Sequence, residues 1–364
     1  MRTPFPGSLA LPLLVVSTVL SAAAEWRSIT TETHAELAAN EIQFLEPMEG
    51  ELWIGTLSGL TRVRDGEFGL VSEVKQEKRR HPETGEWVTK DVTVKAERQI
   101  TDVLRTAAGA YLVGTAGGMF TMTDMVLRDN ALEGRTVSPI VRFNEQTLWL
   151  LAENGGKSGG TVMQKTDEGW RPVKAFADHS VVDLVPTPDG HFWLIIDGNG
   201  VVEVDPNKGV DEAVHHLEGL NVRSVLRDSK GRVWCGFWGR GVAVHHPDHG
   251  WQYHLDEERS AVLIMTEDLA GNVWVGTSSG GLYRFDGEKW RRYFEDGGTV
   301  SLLFCDRKGR VWVSSQKLGG LRCWRDGEWH TSLNNRLPMT SMAEYDGALW
   351  AGGVLDGIHV LDMQ

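Results

Sequence analysis

Cysteine is scarce in this chain, three among 364 residues. An odd count leaves at least one thiol free, and so few cannot staple a fold. Cys235 takes the place that Val275 holds in a sister repeat, a small core position. Cys305 and Cys323 fall on non-adjacent strands of one repeat, about two spacings of ~4.8 Å apart, too far for a disulfide. All three are expected to be free and buried. Positive charge is short as well, 37 Lys and Arg against 50 Asp and Glu. A phosphate backbone favours a basic footprint, so nucleic acid is excluded as a partner. Beyond residue 24 no stretch approaches the ~20 apolar residues of a membrane helix, and no membrane span is expected in the mature chain.

The first 24 residues read as an export signal. Met1 and Arg2 make a short basic start, Leu9 to Leu20 is mostly apolar, and Ala22, Ala23 and Ala24 offer a small-residue cleavage site before Glu25. No Cys follows, so a lipid anchor is not expected. The mature protein, residues 25–364, is expected in the periplasm or outside the cell. Losing Arg2 takes the formal net charge of −13 one unit further negative.

What is plentiful is glycine, 42 residues, and tryptophan, 15 against five tyrosines. Many glycines and aromatics without a low-complexity run suggest short strands joined by tight turns. The phrase VWVGTSSGGLYRFDGEKW from Val273 recurs as VWVSSQKLGGLRCWRDGEW from Val311 and VWCGFWGRGVAVHHPDHGW from Val233. Weaker copies start at Leu52, Tyr111, Leu148, Phe192 and Leu349. Their anchors are Trp53, Leu112, Trp149, Trp193, Trp234, Trp274, Trp312 and Trp350. From Leu112 onward the anchors return about every 40 residues, the spacing of a four-stranded propeller blade.

Each unit reads as four strands, such as Ala261–Met265, Asn272–Gly276, Gly281–Phe285 and Lys289–Tyr293, with Asp286-Gly287 as a hairpin turn. The second strand is apolar on consecutive residues, as covering on both faces requires. The last copy stops after its third strand at Asp362. The mature start, Glu25 to Ile29, resembles the fourth strands Glu288–Arg292 and Glu328–Ser332 and would complete that unit. The fold predicted is all-β, an eight-bladed β-propeller whose N-terminal strand closes the last blade. Seven blades remain if the Leu112 or Trp149 unit is irregular. The long interval from Trp53 to Leu112 holds a hairpin insertion at about 70–97, with a charged tip from Lys75 to Gly85 and Trp87 on its return strand.

The phrase from Val273, with the preceding Glu267, Asp268 and Gly271, resembles the repeat of two-component regulator propellers. The likeness is strong over about 222–364, moderate over 41–70 and 101–124, and loose between 138 and 210. It implies a periplasmic ligand-sensing propeller, here standing alone without the membrane-spanning kinase that such propellers often join. Signalling is not implied. The streptogramin lyase propellers also repeat an LW-containing strand, but their acid–base residues find no match here.

Candidate chemistry is sparse. Asp228, Asp268 and Asp306 each precede the anchor Trp by six residues and read as turn caps. His215-His216 and His245-His246 cannot chelate as adjacent pairs, since neighbours on a strand face opposite ways; no metal or other cofactor is expected. The useful signal is departure from the repeat. Where one loop has Thr277, Ser278 and Ser279, another has Phe237, Trp238, Gly239 and Arg240. An aromatic beside Arg stacks on a ring and bonds its polar edge. Arg98, His179, Arg223 and Arg259 lie on or beside loops that lead into units, and Asp197 and Asp356 on neighbouring loops of that face. The leading expectation is a binding or sensor-type module for carbohydrate or another cell-envelope compound, with Trp238 as platform and Arg223, Arg240 and Arg259 as clamps. The alternative burial of Trp238 as a channel plug stays open. Other readings are a lyase or hydrolase starting from His179 and Asp197, and a scaffold binding protein through the hairpin 70–95.

Overall fold

The computed structural model describes residues 25–144, 147–153, 159–246, 248–295 and 298–363. The leader expected at 1–24 lies outside the described residues. Every described strand belongs to a small sheet, antiparallel but for one parallel pairing, and no α-helix occurs among the described residues. Apart from an inserted hairpin of two strands, the strands fall into eight groups of four, the last taking its fourth strand from near the start of the chain. The sixth is representative: Val262–Glu267, Val273–Thr277, Leu282–Phe285 and Trp290–Tyr293, hydrogen-bonded in that order. The third and fourth groups are joined into one sheet by a single pairing, Gly160 with Val181. The strand limits stand a residue or so from those read in the sequence.

The second strand of the sixth group is buried at all five positions. Its tryptophan does not pack within its own sheet alone but reaches into the next. Trp234 meets Val262, Val273 and Val275, Trp274 meets Val300, Val311 and Val313, and Trp312 meets Met339, Leu349 and Ala351. The series returns on itself, because Trp350 of the last group packs with Ile42, Leu52 and Ile54 of the first. Gly276 is required at this seam. A Cβ there would come within 2.7 Å of Val300 Cγ1 in the following group, a clash no ordinary side chain tolerates.

The aspartates six residues before the anchors organise the turn between first and second strands. Asp268 Oδ1 accepts the backbone N–H of Ala270 and of Asn272, both at 3.0 Å, and its Oδ2 accepts Trp274 Nε1 at 2.8 Å. Gly271 takes φ +78 in this turn, a conformation that suits glycine. Asp228 and Asp306 repeat the arrangement on Trp234 and Trp312, each adding an arginine, Arg232 or Arg310.

The last sheet takes its outer strand from the start of the chain. Arg27, Ser28 and Ile29 pair with Val360, His359 and Ile358. Trp26 stands edge-on to Trp312 and donates to Ser332 Oγ. Between the first and second groups, Ser72–Arg80 and Trp87–Lys95 form a long hairpin in nine unbroken pairs. It joins the second group by parallel pairing of Ser72 and Glu73 with Val126 and Leu127. Cys235 and Cys323 are free and buried; Cys305 is free but only half-buried, a correction to the expectation that all three would be covered.

Candidate functional site

The segments leading into first strands and the loops after second strands share one face. In the fifth group the loop after Val233–Phe237 is pinned on both sides. Trp238 donates its backbone N–H to Asn221 O at 3.0 Å and bridges to Ala261. Gly239, at φ +80, passes so close that a Cβ would sit 3.2 Å from Arg259 O. The backbone of Trp238 is thus held on both sides. The residue is 59% exposed, so its indole neither plugs a channel nor packs beneath a loop.

Arg223 lies in the bulge of the first strand Val222–Arg227, and its Cζ sits 5.4 Å from the centroid of the Trp238 ring. That is within cation–π range. The guanidinium is thus held against the indole while its buried Nε has no bonding partner, an orphan donor of a kind that native structures usually satisfy. Arg240 and Arg259 are exposed beside them, Arg259 donating to Asp256 O at 2.9 Å. The structure therefore brings Arg223, Trp238 and Arg259 into one neighbourhood, with Arg240 two residues along the same loop.

The other residues singled out in the sequence are placed differently. Arg98 donates Nε and Nη2 to Glu73 Oε2, both at 2.6 Å, and lies over the Phe120 ring; it fastens the hairpin. The ring of His179 lies beside those of Phe176 and His215, with Nδ1 buried and unpartnered. Asp197 meets that loop through its backbone N–H to Ser180 O. Asp356 accepts from Asn335 and stands 3.0 Å from His359 Nε2, while His359 Nδ1 stands 3.1 Å from Ser28 Oγ. Burial pushes the Asp356 carboxyl up, but the bonds from His359 and Asn335 outweigh it and leave it below the usual range. This chain of bonds ties the strand contributed by the start of the molecule to the last sheet.

Two features escaped the sequence reading. A cleft of about 550 Å³ on the same face is lined by Thr31, Asn40, Leu57, Ser58, Lys95 and Leu355, a volume suited to a small molecule. Leu57 and Leu355 are exposed and stand after their second strands much as Trp238 does. That shared loop position was the available signal. The second feature is a set of carboxyls on first strands. Burial raises Asp102 to about 6, opposed by N–H bonds from Ile140 and Val103, and the Asp183 charge adds to it. Asp183 and Glu46 are raised for the same primary reason. First strands of successive groups pack on one another, as Val262–Glu267 does on Val222–Arg227 and Val300–Cys305, so these carboxyls stand on the inner strands.

Histidines gather around Glu203 rather than around a metal position. His216 Nε2 and His191 Nδ1 stand 3.4 and 2.7 Å from its oxygens. The His216 bond lowers Glu203 most, burial opposes it, and His191 helps bring it to about 2. Among the described residues no cluster of three or more His, Cys, Asp or Glu is arranged to hold a metal ion.

No protein-family model matches the sequence, and no curated protein matches it. Solved structures do match. The computationally designed Ika8 protein aligns with a TM-score of 0.56 at 11% identity, over 89% of this chain and 96% of that one. Virginiamycin B lyase from Staphylococcus aureus aligns at 0.52 and 8% identity, over 93% and 99%. The extracellular domain of the putative hybrid two-component system BT4673 from B. thetaiotaomicron aligns at 0.42 and 15%, and this chain spans 60% of that chain's length. At these identities the likeness is one of fold, a β-propeller, and the last is too loose to carry an argument. No helix among the described residues is long and apolar enough to cross a membrane.

Proposed function

We propose that the chain is an eight-bladed β-propeller, closed by the strand Arg27–Ile29, that works as an exported ligand-binding module of the sensor type. Its ligand is carbohydrate or another cell-envelope compound with a flat or ringed part. The observation that carries the reading is the pairing of Trp238 and Arg223. A propeller buries its tryptophans between blades, whereas this one is offered to solvent with a guanidinium on it and an unsatisfied N–H beside it. A pyranose ring laid on the indole gains stacking, and its hydroxyls or a carboxylate gain charge-assisted bonds from Arg223, Arg240 and Arg259. Three arginines on one loop cluster also draw a polar or anionic ligand toward an otherwise acidic molecule.

The lyase or hydrolase reading starts from Asp197 and from His179, whose ring stands beside Phe176 and His215. The test is a thermal-shift screen of residues 25–364 against neutral and acidic oligosaccharides, followed by calorimetric titration of any hit. Ligand at a hundred times its dissociation constant adds about 2.7 kcal/mol. Trp238→Ala is expected to lower affinity at least tenfold without moving the ligand-free Tm. Undiminished affinity in that variant would refute the assignment, and an unfolded variant would show the indole to be structural.

A further inference from the structure

The hairpin Ser72–Arg80 and Trp87–Lys95 touches the cleft on the loop face only at its root, through Lys95, and it is built to be rigid. Its root is clamped by Arg98 on Glu73, whose side chain is almost fully buried, by Lys95 Nζ on Ala38 O at 2.7 Å, and by Ser72 N on Met125 O at 2.9 Å. From there nine residue pairs run without a bulge. The strand Trp87–Lys95 is the outermost of its sheet, so one edge of its backbone is open among the described residues. Natural edge strands are blunted by proline, bulges, brevity or charge; this one has no proline or bulge and is nine residues long, and its only such device is the charge of Lys90, Asp91 and Lys95. Its sequence, WVTKDVTVK, is rich in β-branched residues. Exposed apolar side chains concentrate on the arm: Trp87 at 70%, with Val88 and Val74.

Charge points to what covers that edge. Residues 72–95 carry six Lys and Arg against five Asp and Glu, whereas the rest of the chain after Ala24 is left with 30 against 45. The tip from Lys75 to Gly85 has four basic residues and two acidic. The arm therefore carries a net charge of +1 on a body of −15, and the acidic body of another copy attracts it. Contact between two bodies is strongly repulsive, whereas two arms of +1 each repel little.

We propose that the protein self-associates through this arm, the strand Trp87–Lys95 pairing antiparallel with the same strand of a second copy. Two-fold symmetry normal to the sheet keeps each face on its own side, so the strand is centred on one residue that meets itself. Centring on Lys90 opposes two lysines, and centring on Asp91 opposes two aspartates, both unfavourable. Centring on Val92 opposes two valines and sets Lys90 against Val94 of the second copy, Asp91 against its Thr93, and Thr89 against its Lys95. In that register each basic tip runs past the root of the other arm and over the acidic body.

The test is sedimentation velocity on residues 25–364 in about 20 mM and about 0.5 M salt, which shortens the screening length from roughly 20 Å to roughly 4 Å. A dimer at low salt that weakens at least tenfold at high salt is expected. Val92→Cys is expected to cross-link two copies under mild oxidation at least ten times faster than Thr89→Cys, since only Val92 faces itself. Both positions are on the arm, and far-ultraviolet dichroism checks that each variant is folded. A monomer at about 100 μM in low salt overturns the proposal. Equal cross-linking rates at the two positions overturn it as well, and leave the edge to a strand from another protein.

Discussion

Replacing Asp268 by alanine strips four donors of their acceptor at once: the backbone N–H groups of Ala270 and Asn272, the Asn272 amide and the Trp274 indole N–H. Trp274 is wholly buried, so its N–H finds no water after the truncation. An orphaned buried donor costs about 1–3 kcal/mol, and bonds to a charged acceptor contribute about 1.5–3 kcal/mol each. Since the exposed side of the turn regains water, a net loss of about 4 kcal/mol follows. Unfolding entropy of about 2.1 cal/mol/K per residue gives about 0.7 kcal/mol/K for a chain of this length, so the Tm falls by about 6 °C. Calorimetry and urea titration read by tryptophan fluorescence measure it. Asp268→Asn retains one accepting oxygen and is expected to fall between. A drop below about 2 °C for Asp268→Ala would refute the reasoning and assign the turn's stability to apolar packing alone.

The molecule supplies its own controls, and two more predictions follow from them and from the inner carboxyls. The indole N–H groups of Trp149, Trp193 and Trp350 are buried without partners, the residue six places earlier being Phe143, Thr187 or Glu344 instead of Asp. Thr187 occupies the same turn as Asp228, with Thr187 N on His191 O at 2.9 Å and Gly190 N on Thr187 O at 2.8 Å. Thr187→Asp should hand Trp193 its acceptor and raise stability by about 1 kcal/mol, visible as a Tm increase of about 1–2 °C. Asp102, raised from 3.8 to about 6, stabilises the fold below about pH 4 relative to neutral pH, and that contribution disappears as pH rises through 6. The Asp102 part of the change is about 3 kcal/mol; urea titrations at pH 4, 5, 6 and 7 should show a decline in the parent chain that is smaller by that amount in Asp102→Asn, where Asp183 and Glu46 still contribute.

The architecture was legible because each anchor tryptophan serves two sheets, so its spacing follows the fold. The exposure of Trp238 was not legible, because its loop is held from either side by residues outside it, Asn221 and Ala261. Arg98 and Asp356 looked available because their partners, Glu73 and the pair Asn335 and His359, come from an inserted arm and from separate segments of the ring. A linear sequence does not show such pairings. The inner carboxyls were within reach of a stricter alignment. Asp102 and Asp183 stand ten residues before their anchors, where other units have Ser224, Ile264 and Leu302.

An open array of repeats has two end units that lack a neighbour; at the seam here the last and first groups pack through Trp350, Ile42 and Ile54, and the strand that completes the last sheet is held by three residue pairs and the bonds through His359. A load on the start of the chain peels Arg27, Ser28 and Ile29 away one pair at a time, through a ladder as short as any within a group among the described residues. Under such a load the rate at which the molecule comes apart is decided at the seam, even though its equilibrium stability is spread around the whole ring. Two variants of equal Tm can differ widely in lifetime, according to whether the substitution touches those three residues.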